Sequence, residues 1–365
     1  MLSAYGWSDR LQDDFAPYAA EGLAPARILI QHRGGYRLIT EAGEVDGLAS
    51  GRLLKTTSEA DRPATGDWVA GEARAHDGKG GQFVVQHLLP RTTAFIRKAS
   101  GSRGGAQVVA ANADVALLVA SLNSDLNLRR LERYLATTYE SGAQPVIVLT
   151  KADLAQGGAE GLADTVAEVA AIAFGAPVLA ISSKTGFGLD ALKAYLAPGR
   201  TAVLLGSSGA GKSTLLNALA GEEKMDTGAI READERGRHT TTHRELVMMP
   251  YGGLILDTPG MRELGLWDAS GGVSEAFEDV EDLAARCKFS DCGHGREPGC
   301  AVRAAIEAGD LPRDRWEAYA KLQAELAFEK RKEDPHAALV NKRLWITRNK
   351  AGRAQMKAKR RGLEE

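Results

Sequence analysis

The order of apolar and polar positions changes character along the chain. After a short helical pattern over residues 1–25, the segment 26–95 consists of brief alternating runs separated by turn residues. Alternation with a period of two is typical of half-buried strands. Five such runs predict a small β-barrel, with the five-stranded oligonucleotide-binding (OB) type as the leading candidate and a generic packing barrel as the alternative. The predicted strands are Arg27–Gln31, Tyr36–Thr40, Gly51–Lys55, Asp67–Ala70 and Gln82–Leu89.

From Asp114 onward, continuous apolar runs alternate with helical patterns. Continuous runs are typical of strands buried on both faces, so the alternation predicts a parallel sheet covered by helices on each side. The predicted strands are Val115–Ala120, Pro145–Leu149, Val178–Ile181, Val203–Leu205 and Leu254–Leu256, and the predicted helices are Leu128–Tyr139, Glu160–Phe174, Leu189–Leu196 and Ser213–Ala220. Beyond about residue 273 the chain becomes a cysteine-bearing loop followed by helices, including Pro312–Lys330.

These patterns divide the chain into five segments. We expect a helical lead-in at 1–25, an OB-like barrel at 26–95 and an α/β domain at 96–272. A mostly helical, cysteine-bearing domain then occupies 273–334, and a tail covers 335–365. The organisation is therefore multidomain, as expected for 365 residues.

Composition excludes several classes of protein. Hydrophobic residues make up 44% and charged residues 26% of the chain, which is typical of a globular protein and not of a disordered or fibrous one. Three cysteines are too few and odd in number for a disulfide framework. No apolar run reaches the about 18 residues that a membrane helix needs, and no signal-peptide pattern opens the chain. We expect a cytoplasmic monomer with no membrane partner.

The near-zero net charge conceals an uneven distribution. The formal charge is 46 − 48 = −2, yet nine basic and no acidic residues fall between Lys342 and Arg361. The run from Lys342 to Arg361 thus carries +9 and the rest of the chain −11. Such a run suits contacts with RNA phosphates, with Trp345 available to stack on a base, although a solvated tail is the plain alternative. The basic residues are Lys342, Arg343, Arg348, Lys350, Arg353, Lys357, Lys359, Arg360 and Arg361.

The most specific chemical motif fits G-x-x-x-x-G-K-[ST] and lies between a predicted strand and a predicted helix. In that context the backbone N–H groups of the loop cradle phosphates, whereas a glycine-rich turn that binds nothing is the alternative. Lys212 is expected to reach the β and γ oxygens, and Ser213 to offer its hydroxyl to Mg²⁺. The predicted phosphate-binding residues are Gly206, Ser207, Ser208, Gly209, Ala210, Gly211, Lys212, Ser213 and Thr214.

A second phosphate-related motif, Asp257–Gly260, follows the apolar strand downstream of this loop. Asp257 suits a Walker-B role, in which it holds Mg²⁺ through a water molecule. The N–H group of Gly260 is placed to sense a γ-phosphate. An Asp-Thr-Pro-Gly turn is common by itself, and the preceding phosphate loop is what favours the functional interpretation.

Two short polar stretches at strand ends indicate the base. Thr150, Lys151, Ala152 and Asp153 follow one predicted strand, and Ser182, Ser183 and Lys184 follow the next. The carboxylate of Asp153 can accept hydrogen bonds from both the ring N–H and the exocyclic amine of guanine. Adenine presents no such pair of donors and would leave the carboxylate unpaired, so the motif predicts guanine specificity.

The base motifs precede the phosphate loop, the reverse of the order in ordinary small GTPases. Residues 26–330 resemble the circularly permuted GTPases in this order of motifs and in three further stretches. Within that group, the resemblance is to the ribosome small-subunit-dependent RsgA (YjeQ) family. The stretches are Asn127–Leu135, Gly237–Thr242, which is similar to the family's switch segment, and Gly265–Trp267. The resemblance implies an OB-type barrel, a circularly permuted P-loop GTPase domain and a C-terminal zinc-binding domain. It also implies binding to the small ribosomal subunit and its rRNA, with subunit-stimulated GTP hydrolysis in late maturation.

The cysteines supply an independent indication of a metal site. Cys287, Cys292, His294 and Cys300 offer three thiolates and one imidazole at short spacing. This donor set is that of a tetrahedral structural zinc site, and it leaves no open position for catalysis. Three unrelated buried cysteines with a chance histidine are the alternative. In the RsgA family such a site staples the C-terminal domain.

The catalytic residue is less determined. Ras-like enzymes place a glutamine directly after the Asp-x-x-Gly turn, but Met261 occupies that position here and cannot orient water. The family resemblance implies His239 as the group that positions the nucleophile, with a solvated loop histidine as the alternative. One of Thr240–Thr242 is expected to contact Mg²⁺ and the γ-phosphate, and Thr241 is the assignment adopted. We expect slow intrinsic hydrolysis that a partner accelerates by ordering this loop.

Two rival classes of protein remain open. One is a P-loop ATPase or kinase without guanine specificity, and Asp153 is the residue that argues against it. The other is a non-hydrolysing, GTP-dependent RNA-binding scaffold. Measurement of GTP turnover with and without small ribosomal subunits distinguishes the scaffold from the GTPase.

Overall fold

We analysed a computed structural model of the 365-residue chain. It describes residues 1–32, 34–58, 61–74, 82–98, 106–123, 126–173, 175–221, 244–257, 270–295 and 297–333. Several residues singled out above lie outside these ranges: His239, the Thr240–Thr242 run with Thr241, Gly260, Met261, Gly265–Trp267 and the basic run Lys342–Arg361.

Thirteen strands and ten α-helices lie within the described residues. The strands are β1 (Ala24–His32), β2 (Gly35–Thr40), β3 (Gly43–Ala49), β4 (Trp68–Arg74), β5 (Gln82–Leu88), β6 (Ala94–Lys98), β7 (Ala106–Ala111), β8 (Val115–Ser121), β9 (Gln144–Thr150), β10 (Val178–Ala180), β11 (Thr201–Leu205), β12 (Arg244–Met248) and β13 (Leu254–Asp257). The helices are α1 (Asp9–Ala20), α2 (Gly51–Thr56), α3 (Leu128–Ser141), α4 (Gly158–Ala171), α5 (Leu189–Lys193), α6 (Lys212–Ala220), α7 (Ser270–Ala276), α8 (Glu278–Ala285), α9 (Ala301–Ala308) and α10 (Arg313–Glu333). Among the described helices, none combines the length and apolar character needed to cross a membrane.

The first five strands close into a barrel. Their order is β1-β2-β3-β5-β4, and β4 returns to pair with β1. Strands β3 and β5 run parallel, whereas the other neighbours in the barrel are antiparallel. The barrel core is formed by buried apolar side chains, among them Ile28, Leu38 and Phe83. The prediction of a five-stranded OB-type barrel is confirmed.

One predicted barrel strand was wrong. Gly51–Lys55 belongs to helix α2, and the third strand is instead β3. The helix begins after Ser50, whose hydroxyl accepts a hydrogen bond from the Leu53 N–H at 3.2 Å, a typical N-cap. Strand β3 was missed because Gly47 interrupts its apolar pattern. A glycine is needed at this position for packing. A Cβ at that position would lie 2.6 Å from the carbonyl oxygen of Phe83 on β5.

The α/β segment contains the predicted parallel sheet. Strands β10, β9, β8, β11 and β13 are parallel neighbours in that order, and β12 adds antiparallel to β13. Every residue of β8 is buried, as the continuous apolar run predicted. Separate hydrophobic clusters cover the two faces, one including α3 and α4, the other α5 and α6. The hairpin β6–β7 and strand β12 were not predicted.

The barrel and the parallel sheet are joined edge to edge. Strand β1 pairs with β12 in the register Ile30↔Glu245 and Gln31↔Arg244. Because β1 belongs to the barrel and β12 to the α/β sheet, the two form one eleven-stranded sheet. We call this pairing the seam.

A buried polar cluster lies beside the seam. Arg27 is 2% exposed, and its guanidinium donates hydrogen bonds to the carbonyl oxygens of Tyr5, Gly66 (3.1 Å) and Asn112 (3.0 Å). These acceptors belong to the lead-in, the barrel and the α/β segment, so one side chain ties three segments together. Burial lowers the pKa of Arg27 to about 10, although nearby carboxylates oppose the shift.

The same cluster contains a buried ion pair. Asp67 is fully buried, and its two carboxylate oxygens accept from Nε (2.8 Å) and Nη2 (2.7 Å) of Arg91. Its Oδ2 also accepts the Ala64 N–H at 2.8 Å. Burial raises the pKa of Asp67, and the hydrogen bonds from Arg91 and Ala64 offset part of that effect. Arg27, Asp67, Arg91 and Asn112 together form what we call the junction cluster.

The C-terminal helices form a separate core around Phe277. This module packs on α3, where α10 is held by a bidentate contact from Arg133 Nη2 to Glu325 at 2.7 and 2.9 Å. The N–H of Gly272, in α7, donates to Glu140 Oε2 at 2.7 Å. Helix α3 of the α/β segment therefore serves as the docking surface for the C-terminal module.

Candidate nucleotide and metal sites

Four of the predicted motifs meet at one edge of the parallel sheet. Each follows the carboxyl end of a strand: Lys151 follows β9, Ile181 follows β10, Gly206 follows β11, and Asp257 ends β13. Since the carboxyl ends of parallel strands lie at the same edge, loops distant in sequence converge there. We call this region the nucleotide edge.

The phosphate loop has the backbone that its glycines predict. A Cβ on Gly206 would lie 2.4 Å from the carbonyl oxygen of Val119, so β8 and the loop can approach this closely only with glycine present. Gly211 caps α6 in the left-handed region, with φ of 93°. The first turn of α6 contains Lys212, Ser213 and Thr214, and its N-terminal N–H groups suit an anion. The Nζ of Lys212 donates to the carbonyl oxygens of Gly206 (2.7 Å) and Ser207 (2.6 Å).

The base motif is bonded directly to the phosphate loop. The Thr150 hydroxyl donates to the carbonyl oxygen of Ala210 at 2.6 Å, and its side chain is buried. Lys151 adopts the left-handed region (φ 62°), and its Nζ donates to the carbonyl oxygen of Gly209 at 3.0 Å. These two contacts set the distance between the Asp153 region and the loop, so the two halves of the candidate site form one unit.

The carboxylate of Asp153 is oriented by the next loop. The buried Ser182 hydroxyl donates to Asp153 Oδ1 at 2.6 Å. This hydrogen bond lowers the pKa of Asp153, and the charge of Lys184 acts in the same direction. The Ala152 N–H donates to the carbonyl oxygen of Ile181 at 3.0 Å and holds the two loops together. The aspartate is therefore an ionised acceptor at neutral pH.

The second base loop is a closed turn. The Ser182 N–H donates to the carbonyl oxygen of Phe187 at 2.9 Å, and the Thr185 N–H donates to the Ser182 hydroxyl at 3.2 Å. Ser183 is half-buried and Lys184 exposed on this turn. Ser182 thus supports Asp153, whereas Ser183 and Lys184 are the members that remain accessible.

Asp257 lies in a setting that suits a cation. Burial raises its pKa, the positive charge of Lys212 opposes that shift, and Glu245 on the neighbouring strand reinforces it. When a partly desolvated carboxylate lies close to a second carboxylate, a nearby cation stabilises its ionised form. Carboxylate and hydroxyl oxygens are the ligands that Mg²⁺ prefers, so Asp257 and Ser213 form a chemically suitable pair. The third proposed ligand, Thr241, lies outside the described residues.

The four predicted metal ligands converge. The ligand atoms of Cys287, Cys292, His294 and Cys300 all lie within 4.8 Å of one another. His294 Nδ1 is 3.6 Å from the Sγ atoms of Cys287 and Cys300, and those two sulfurs are 4.0 Å apart. A tetrahedron with Zn–S bonds of about 2.3 Å has edges of roughly 3.5–3.8 Å, so the donor set fits a zinc ion.

The surroundings of this cluster support the same interpretation. Cys300 is the N-cap of α9, and its Sγ accepts the Arg303 N–H at 3.4 Å, an arrangement that favours a thiolate. His294 has a positive φ of 55°, and its Nδ1 faces two of the sulfurs. The ring also packs edge-on against Trp316 of α10, with centroids 5.0 Å apart. The cluster thereby links the cysteine-bearing loop to α9 and α10.

Sequence reasoning missed the contacts that assemble the nucleotide edge. It identified Thr150, Lys151 and Ser182 as parts of the base motifs but did not anticipate that they bind the phosphate loop or Asp153. No local pattern carries that information, because each partner is 29 to 60 positions away in the chain.

Comparisons with known proteins agree with this architecture. The family model described as "RsgA GTPase" matches residues 88–267. The chain is 47% identical over 353 residues to a protein of Opitutus terrae named "Small ribosomal subunit biogenesis GTPase RsgA", covering 94% of this chain and 95% of that protein. A protein of the same name from Streptomyces coelicolor is 48% identical over 363 residues, covering 99% and 96%.

Two solved structures are similar in fold. The crystal structure of YjeQ from Thermotoga maritima superposes with a TM-score of 0.63 at 26% identity, covering 84% of this chain and 99% of that one. The structure of YloQ, described as a circularly permuted GTPase, gives 0.60 at 27% identity, with coverage of 84% and 96%.

Proposed function

The chain belongs to the RsgA family of GTPases, and from that membership we propose that it binds GTP at the nucleotide edge and acts in biogenesis of the small ribosomal subunit. The observation that carries the site assignment is the direct bonding of the base motif to the phosphate loop. Thr150 and Lys151 donate to the carbonyl oxygens of Ala210 and Gly209 and so connect the segment before Asp153 to the phosphate loop. That arrangement suits a guanine nucleotide whose base and phosphates are recognised together.

Guanine specificity rests on Asp153. Its carboxylate is held by Ser182 and kept ionised, so it can accept from the two donors on the Watson–Crick edge of guanine. The stem of Lys151 would lie along the base, and the half-buried Ser183 would contact the base carbonyl. An adenine base would leave the carboxylate without partners, which is the costly outcome for a polar recognition site.

Phosphate binding is assigned to residues 206–214. The loop N–H groups and the N-terminus of α6 bind phosphate oxygens, and Lys212 exchanges its loop carbonyls for the β and γ oxygens. Ser213 and Asp257 would hold Mg²⁺, which neutralises phosphate charge when bound. His239 as the group that positions water, Thr241 as a magnesium ligand and Gly260 as the γ-phosphate sensor remain proposals from the sequence.

The partner is proposed from the modules around the GTPase domain. Relatives at 47–48% identity carry the name of a small ribosomal subunit biogenesis GTPase. An OB-type barrel and a cysteine–histidine module flank the nucleotide-binding sheet, and both kinds of module are used in RNA binding. We propose rRNA contacts, late subunit maturation and turnover that the subunit stimulates, with domain limits at 26–95, 96–272 and 273–334. All four nucleotide motifs lie in one chain, consistent with a working monomer.

We also propose one structural zinc ion in the Cys287, Cys292, His294 and Cys300 cluster. A thiolate-rich site of this kind suits a reducing, cytoplasmic setting. Elemental analysis is expected to find one zinc per chain, and Cys292→Ser is expected to reduce that amount sharply. A folded, metal-free protein would contradict the assignment.

A nucleotide competition assay tests the function. Wild type is expected to bind GTP at least about 100-fold more tightly than ATP, and Asp153→Asn to transfer that preference to xanthosine triphosphate. Lys193→Ala serves as a control, because that lysine pairs with the exposed Asp190 on the outer side of α5. Turnover is then measured with purified small ribosomal subunits. Equal competition by ATP would reject the guanine site, and unchanged turnover with subunits would reject the proposed partner.

A further inference from the structure

One carboxylate outside the metal ligand set lies between two of the ligands in the chain. Glu297 follows His294 and precedes Cys300, and it is half-buried. Its Oε2 accepts the Gly295 N–H at 2.8 Å, and its Oε1 accepts the Gly293 N–H at 3.3 Å. These two N–H donors stand immediately before and after His294, so one side chain fixes the backbone on both sides of that ligand.

The conformation of His294 explains why such support matters. This residue has a φ of 55°, in the left-handed region that residues other than glycine rarely adopt. Its Nδ1 lies 3.6 Å from the sulfurs of both Cys287 and Cys300. Because left-handed backbone is disfavoured for a residue with a side chain, an unsupported loop would spend part of its time with the imidazole away from the thiolates. The hydrogen bonds to Glu297 oppose that departure.

The loop around Glu297 is shaped to hold its carboxylate in place. A Cβ on Gly293 would lie 3.1 Å from Glu297 Oε1, a close contact that glycine avoids. Beyond Glu297 the chain turns through Gly299, which has a φ of 78° and whose carbonyl oxygen accepts the Lys288 N–H at 3.1 Å. Lys288 is the residue after one ligand and Gly299 the residue before another, so the loop is closed at its base.

Glu297 itself stands outside the donor set. Among the described residues, the donor atoms within 4.8 Å of one another belong to Cys287, Cys292, His294 and Cys300. Both oxygens of Glu297 accept from backbone N–H groups instead. Three thiolates and one imidazole already complete a tetrahedral zinc site, so the carboxylate can contribute by orienting a ligand.

We propose that Glu297 is a positioning residue for the zinc site, which acts by holding His294 in its metal-binding conformation; this rests on the proposed structural zinc ion. Groups that orient a metal ligand typically change metal affinity about 10- to 100-fold when they are removed. The fraction of the metal-free loop that is ready to bind sets the apparent affinity. Loss of Glu297 therefore weakens zinc binding without altering the donor atoms.

Competition between the full-length protein and a chromogenic zinc chelator measures the effect. Glu297→Ala is expected to weaken zinc affinity about 10-fold, because both hydrogen bonds are lost. Glu297→Gln keeps one acceptor oxygen and is expected to lie between Glu297→Ala and wild type. The matched control is Glu307→Gln, which removes an equal charge from the same module, where Glu307 pairs with Arg303 at 3.3 Å on the surface of α9. It is expected to leave zinc affinity unchanged.

Two further measurements separate the positioning of His294 from a general loss of folding. In the His294→Ala background, Glu297→Ala is expected to cause no further fall in zinc affinity, because the ligand through which it acts is gone. After saturation with Co²⁺, Glu297→Ala is expected to show the thiolate charge-transfer and d–d absorption of wild type, because the donor set is the same. Should Glu297→Ala fail to fold, comparison of Glu297→Gln with Glu307→Gln still decides the question.

Several outcomes would overturn the inference. Equal zinc affinities of the Glu297 variants and Glu307→Gln would remove the role assigned to the carboxylate. An equal loss in the wild-type and His294→Ala backgrounds would assign Glu297 to folding of the loop, and an altered Co²⁺ spectrum would make it a ligand. A wild-type protein that bound no zinc would reject the metal site itself, which is distinguishable from a failure confined to the Glu297 variants.

Discussion

The nucleotide edge and the junction cluster are both polar, yet they are built in opposite ways. The nucleotide edge consists of short contiguous motifs whose backbone does much of the binding, as in the loop from Gly206 to Ser213. The junction cluster consists of single side chains, Arg27, Asp67, Arg91 and Asn112, which are spread over 86 positions. A backbone cradle requires particular residues in a row, whereas a buried ion pair requires only that its members meet.

The two regions also differ in what they stabilise. Lys212 and Lys151 bond to carbonyl oxygens of one loop, so their contacts shape a local surface. Arg27 bonds to carbonyl oxygens in three segments, and Asp67 is fully enclosed. We therefore expect damage to the junction cluster to reduce stability and damage to the nucleotide edge to reduce activity.

The largest effect is expected from Asp67→Ala. Removal of the carboxylate takes away the bidentate partner of the largely buried Arg91 and one of the two carboxylates that act on Arg27, so the free energy of unfolding should fall by about 3–5 kcal/mol. Urea denaturation, followed by circular dichroism, measures the change. The control is Asp46→Asn, an exposed partner of Arg37, which should shift the midpoint little. Equal shifts of the urea midpoint in the two variants would contradict the stabilising role assigned to the junction cluster.

Lys212→Ala should produce the converse result. The lysine is assigned to the β and γ phosphates, so GTP turnover should fall about 100-fold or more, while the urea midpoint stays close to that of wild type. Lys193→Ala, on the outer side of α5, provides the comparison. A variant that lost stability but kept turnover would place Lys212 among the structural residues.

The smallest effect is expected from Ser182→Ala, and it appears only as pH falls. The Ser182 hydroxyl is the main cause of the lowered pKa of Asp153, so the ionised form persists below the usual range of aspartate. Without it the pKa rises, and GDP affinity should begin to fall at a higher pH than in wild type, in a titration from about pH 7 to about pH 4.

The control for this titration is Ser58→Ala. Ser58 donates to the exposed Asp61 at 2.7 Å, far from the nucleotide edge in the chain. Loss of the Ser58 hydroxyl should leave GDP affinity falling over the same acidic pH range as in wild type. Identical titration curves for Ser182→Ala and wild type would remove the assigned role of the serine.

The errors in the predicted fold have identifiable physical causes. Gly51–Lys55 contains residues that fit either a strand or a short helix, and the N-cap at Ser50 decided for the helix. Strand β3 escaped prediction because Gly47 interrupts its apolar pattern, for a reason that depends on the approach of β5. By contrast, the fully buried β8 was predicted closely, since burial on both faces requires a continuous apolar run.

By itself, the sequence determined those parts of the protein whose chemistry depends on the order of residues close together in the chain. These are the phosphate loop, the two base motifs and their permuted order, the four metal ligands and the alternation of strands with helices. Only the tertiary structure decided that Thr150 and Lys151 bind the phosphate loop, that β1 pairs with β12, and that Arg27 donates hydrogen bonds to three segments. Those contacts join residues far apart in the chain, and the energy of a buried polar contact depends on its surroundings after folding and not on its neighbours in sequence.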